Sequence, residues 1–103
     1  MTFKIGDTIY CIEYFYAKVG FREKLIESLL KLIEPTRAEN GCIQYDLLQD
    51  NKDENLIILL VKFIDQKSMT QHEQQLYIKH FAEFEMPKYC EKFNWNDAKE
   101  ISV

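Results

Sequence analysis

Two residues in this sequence pair a reactive side chain with an unusual setting. His72 stands three residues after Met69 and four before Leu76, so on a helix it shares their face and points at the interior or at a pocket. A neutral imidazole placed there can accept a proton from a phenol or enol. Glu13 lies between Cys11 and Phe15 on one face of a strongly apolar stretch. A lone carboxylate in such surroundings must be paired, protonated or open to a water-filled pocket. Near His72 it would orient the imidazole or act as the base itself; the competing reading is an acid at the sheet margin, paired with Lys18 or Lys62. His72 and Glu13 are therefore the candidate catalytic residues. Cys11, Phe15, Phe63 and Met69 are the candidate walls of a substrate pocket, since an acid, an imidazole and aromatic rings around an apolar cavity make a small-molecule site.

The remaining reactive side chains read as structural. His80 sits among Lys79 and Glu83 and is expected on the surface, and Trp95 is expected to pack against the pocket or a subunit seam. Cys11, Cys42 and Cys90 are odd in number, widely spaced and without a Cys-x-x-Cys pair, which argues for buried free thiols over disulfides or zinc. No metal-ligand cluster, nucleophile elbow or glycine-rich phosphate loop is present, so no metal, flavin or nucleotide cofactor is expected.

The elements that must position these residues follow from periodicity. Residues 8–18 are rich in β-branched and aromatic types and read as a strand ended by Val19-Gly20. Phe21, Leu25, Leu29 and Ile33 then recur every fourth position, with Ser28 among the polar residues opposite, as in an amphipathic helix that should end or kink at Pro35. Residues 42–49 alternate, with Ile43, Tyr45 and Leu47 on one face. A polar turn over 50–55 leads into the apolar strand 56–64. Asp65 caps a helix running through Gln74, a second helical stretch covers 76–85 with Tyr77, Phe81 and Phe84 on one side, and a last strand falls within 90–103. The order β-α-β-β-α-β predicts an α+β, ferredoxin-like domain over residues 1–103, a four-stranded antiparallel sheet with helices on one face.

Composition bounds the function. The chain has 103 residues, 47% of them apolar, and a net charge of -4 with both signs interspersed. That pattern excludes the concentrated basic surface that nucleic acid requires. The apolar run 56–61 is far shorter than the ~20 residues that span a bilayer, and the first residues lack the features of a secretory signal, so a cytoplasmic protein without membrane partners is expected. Tyr10, Ile12, Tyr14 and Tyr16 form a second apolar face on the first strand, matched by Ile58 and Leu60 on the third. Helices cover one sheet face only, so a homodimer is expected to cover the other, with Tyr14 and Tyr16 in its interface.

Residues 35–46, read as Pro-Thr-Arg-Ala-Glu-Asn-Gly-Cys-Ile-Gln-Tyr-Asp, resemble the helix-to-strand junction T-R-x-E-x-G-C-x-x-Y of the antibiotic biosynthesis monooxygenase (ABM) family. Phe63 to His72 is similar to that family's W-x-[DS]-x-x-x-[LM]-x-x-H, and Tyr77-Ile78 resembles its downstream cluster. The resemblance implies a dimeric α+β barrel with a pocket between sheet and helices. It also implies one of three activities, oxidation of quinol-like aromatics by dioxygen without metal or flavin, degradation of haem, or processing of a small signalling ketone, and the fold alone does not choose among them; of the residues that work in the haem-degrading members, His72 is the one retained. The sequence departs from the family pattern at Val61, where a Glu is usual, and at Phe63, where a Trp is usual. In haem-degrading members an Asn falls at the position of Glu13. A non-catalytic small-molecule-binding dimer and a haem-binding or haem-degrading protein are the alternatives these departures leave open.

Overall fold

β-Branched and aromatic side chains crowd a helix but lie comfortably on a pleated sheet, and they build β1 (Lys4–Ala17). Gly20, at φ 84°, takes the left-handed turn that reverses the chain into α1 (Arg22–Arg37). A hairpin of β2 (Cys42–Gln49) and β3 (Leu56–Phe63) follows. Its turn is tied by the Asp50 carboxylate, which accepts from the backbone N–H groups of Lys52 and Asp53. Three short helical segments, α2 (Gln66–Glu73), α3 (Leu76–His80) and α4 (Met86–Tyr89), lead to β4 (Cys90–Ser102). The computed structural model describes residues 2–103. All pairings are antiparallel in the order β2-β3-β1-β4, so β1 and β3 are the adjacent central strands of a ferredoxin-like α+β fold.

Period-two alternation sends Ile9, Cys11, Phe15 and Ala17 of β1 and Ile57, Leu59, Val61 and Phe63 of β3 to one face. There they meet Leu25, Leu29 and Leu32 of α1 together with Met69 and Phe81. On the opposite face Tyr10, Ile12, Tyr14 and Tyr16 are only half-buried. Before Ile9 the strand β1 has lost β3 and pairs with β4 alone, leaving a two-stranded ribbon with Ile5 and Ile101 exposed. No described helix is long and apolar enough to cross a membrane.

Several local expectations need correction. α1 continues through Pro35 to Arg37. The missing proline N–H would have served the carbonyl of Lys31, and both residues lie on the exposed side, where water replaces the lost bond. Ser28 is buried, whereas Leu30 is half exposed, because the buried stripe runs through Leu25, Ser28, Leu29, Leu32 and Thr36. Ile43 does not share a face with Tyr45: a bulge pairs Cys42 with Phe63 and Gln44 with Lys62, turning Ile43 outward. The stretch 76–85 is not one regular helix. After α3 the residues Phe81–Glu85 form a π-helical turn, and Phe84 is turned outward while Phe81 is buried.

Candidate active site

His72 is carried by α2, whose start is fixed by the Asp65 side chain accepting from the Ser68 N–H at 2.8 Å. Helical spacing places Met69 and His72 on the buried side. The stripe stops there. Gln75 is extended, the helix breaks, and Leu76 lies on the surface at 83% exposure instead of continuing the face of His72. The position of α2 is set by close approach to Gly41, where an added Cβ would come within 2.2 Å of the Ser68 side chain. Gly41 also accepts a backbone hydrogen bond from Ile64 at 2.9 Å. A residue without a side chain is thus required at the junction that sets α2 against the sheet.

His72 is 6% exposed, with the ring of Phe63 at 5.0 Å and that of Tyr45 at 5.7 Å from the imidazole between centroids. A buried histidine needs a hydrogen-bond partner, and Nδ1 finds one in Glu39 Oε2 at 3.0 Å. The same carboxylate oxygen accepts from the Tyr77 hydroxyl, which is 3.1 Å from Thr36 Oγ1. Burial, then the bond to Glu39, pushes the Tyr77 phenol up to about 12, so it stays a donor across the physiological range. A carboxylate facing Nδ1 puts the proton of the neutral ring on that nitrogen and leaves the lone pair on Nε2. Among the described residues Nε2 has no hydrogen-bond partner.

A cavity of about 280 Å3 lies between the helices and the inner face of the sheet, lined by Cys11 and Glu13 from β1, Val61 from β3, and Met69, His72 and Glu73 from α2. β4 adds Trp95 and Asp97. A second void of about 180 Å3 shares Glu13 and His72 with the first and is otherwise walled largely by apolar residues, including Phe15 and Phe81. Glu13 and His72 are therefore brought to the same space. Cys11 and Met69 line the larger void and Phe15 the smaller, whereas Phe63 lines neither and backs the imidazole.

Glu13 makes no ion pair among the described residues. Lys18 donates to the Pro87 carbonyl, and the Lys62 ammonium lies over the Tyr10 ring on the far face of the sheet. Burial, reinforced by the charges of Asp97 and Glu73, pushes the Glu13 carboxyl up to about 7. The same burial raises the Cys11 thiol well above its usual range, so it is an inert wall. His80 is exposed, 3.6 Å from Glu85. The cysteines are free, and no cluster of three metal-ligating side chains occurs among the described residues.

Glu39 is a functional residue that lies within the helix-to-strand junction and that sequence spacing does not place beside His72. The start of β2 is held to α1 by Arg37, whose guanidinium donates to the Tyr45 carbonyl and to Asp46. Glu39 turns inward to hold the imidazole, the orienting task first considered for Glu13. The clue was the buried histidine itself, which demands an acceptor, combined with an acid two residues before an obligatory glycine.

The sequence profile of the family described as Antibiotic biosynthesis monooxygenase (ABM) matches residues 8–83. "Putative monooxygenase YcnE" of Bacillus subtilis is 31% identical over 69 residues, which is 67% of this chain and 73% of that protein. The crystal structure of protein SO0527 from Shewanella oneidensis superposes with a TM-score of 0.96 at 30% identity, covering 99% of this chain and 100% of that one. PA3566 from Pseudomonas aeruginosa gives 0.86 at 25% identity over 94% and 97% of the two chains. The matched span contains Glu13, the Thr36 to Tyr45 junction, His72 and Tyr77, and the chain belongs to the ABM family.

Proposed function

We propose that this chain is a cofactor-independent monooxygenase acting on a small quinol-like aromatic in the cavity between sheet and helices. The observation that supports this most is the polarity of His72, with Nδ1 held by Glu39 and Nε2 left without a partner among the described residues, at a cavity that Glu13 also lines. A phenolic hydroxyl against Nε2 gives up its proton to the imidazole, and the carboxylate of Glu39 stabilises the imidazolium that forms. The resulting phenolate is electron-rich enough to transfer an electron to dioxygen. One oxygen atom enters the ring and the other leaves as water, with the substrate supplying all the electrons. Glu13, protonated below about pH 7, can donate a hydrogen bond to the oxygen on which charge develops. The family pattern usually has a Glu at Val61; here Glu13 supplies a carboxylate to the same cavity from the neighbouring strand.

The working unit is proposed to be a homodimer joined through the sheet face carrying Tyr14 and Tyr16, because these residues and Ile58 and Leu60 form a continuous apolar surface that the helices do not reach. Oxygen uptake with a panel of dihydroxynaphthalenes and benzoquinols tests the activity. Enzyme-dependent uptake with at least one member is the expected result, and none above the autoxidation rate across the panel would contradict it.

A further inference from the structure

The cavity has a one-sided charge. Glu13, Glu73 and Asp97 converge on it from β1, α2 and β4, and their mutual proximity is felt at Glu13, whose ionisation is opposed by the other two. Among the described residues no lysine or arginine lines either void. The one cation of the same strand parity on β4, Lys99, lies a step farther out opposite Ile9 and borders neither. Lys62 and Lys92 are engaged with Tyr10 and Tyr16 on the opposite face.

We infer that Glu73 and Asp97 determine specificity, restricting the cavity to neutral or cationic aromatic ligands and rejecting those that carry a carboxylate or phosphate. The inference rests on the cavity being the substrate site proposed above and names the substrate class it admits. An anionic substituent entering this space meets the like charges of Glu73 and Asp97 on two sides, with no basic side chain among the described residues lining the cavity to receive it and less water than in bulk to screen it. A neutral phenol meets no such penalty, and its own charge develops only after its proton has moved to His72. An ammonium substituent gains from Glu73 and Asp97 at the cavity mouth.

The test is calorimetric titration of the intact protein under argon with 2-naphthol and two analogues that differ only by a carboxylate or an aminomethyl group on the far ring. The carboxylate is expected to bind about tenfold or more weakly than the parent, and the aminomethyl compound at least as tightly. Raising the salt concentration should narrow both differences. The double variant Glu73→Gln, Asp97→Asn changes two exposed side chains, and its fold is checked by an unchanged melting curve. It should bring the carboxylate to within about threefold of the parent. Equal or tighter binding of the carboxylate by the unmodified protein, or an unchanged ratio in the double variant, would overturn the inference. Because these titrations need no turnover, a failure to consume oxygen would remove the catalytic reading without altering what the binding ratios say about charge selection.

Discussion

At the scale of single residues, each carboxylate's role depends on which atom it faces. Glu39 does not line the cavity, so it is a positioning residue: Glu39→Gln should lower kcat by about tenfold to a hundredfold while leaving KM nearly unchanged, since a bond to an ionised group is worth roughly 1.5–3 kcal/mol. A rise in KM with kcat intact would show that Glu39 shapes the pocket instead of the imidazole. Glu13 makes a prediction about stability. Its carboxyl titrates from 4.5 in the unfolded chain to about 7 in the folded one. Below 4.5 both states hold the proton and the group is neutral to stability; as the pH rises the unfolded state ionises first, so stability is lost progressively until about pH 7. Glu13→Gln removes that penalty. Its stabilisation relative to the natural protein should grow between pH 5 and pH 8, by up to about 3 kcal/mol, as read from denaturant midpoints. A difference independent of pH would mean that Glu13 is solvated.

At the scale of elements, the junction between α1 and β2 decides where His72 sits. Gly41→Ala inserts a methyl group 2.2 Å from the Ser68 side chain, and the start of α2 must move outward. Overpacking of this kind costs roughly 1–3 kcal/mol, and the displaced helix carries the imidazole away from Glu39. The variant should therefore melt at a lower temperature and lose activity beyond what its folded fraction explains; full activity per folded molecule would separate the junction from the site. The strands were legible in the sequence because alternation in β1 and β3 is strict enough to assign the faces of Glu13 and the tyrosines correctly. What escaped was set by tertiary context. The bulge at Ile43 depends on how β2 meets β3. Pro35 is tolerated because it faces water, and the helix break at Gln75 removes Leu76 from the stripe that was used to orient His72. Asp97 and Glu73 reach the cavity through strand register and a helix end, which a polar residue in a polar stretch does not announce.

At the scale of the whole molecule, the sheet has one face covered by its helices and one left half-buried. Lys62 and Lys92 shield Tyr10 and Tyr16 in part, but Tyr14, Ile12, Ile58 and Leu60 retain an apolar surface. Light scattering at micromolar concentration should give twice the chain mass of 12.4 kDa. Tyr14→Asp with Tyr16→Asp places charges in the proposed seam and should shift the protein to monomer. A monomeric natural protein would contradict the proposed dimer.

In the proposed reaction, proton transfer to His72 drives oxygen consumption. Initial rates of oxygen uptake for the natural protein and His72→Ala, at saturating concentration of whichever dihydroxynaphthalene turns over fastest, test it most directly. Loss of the acid/base residue should lower the rate by about 10² to 10⁴-fold while the variant still binds the aromatic under argon. An undiminished rate in His72→Ala would show that His72 is not the proton acceptor.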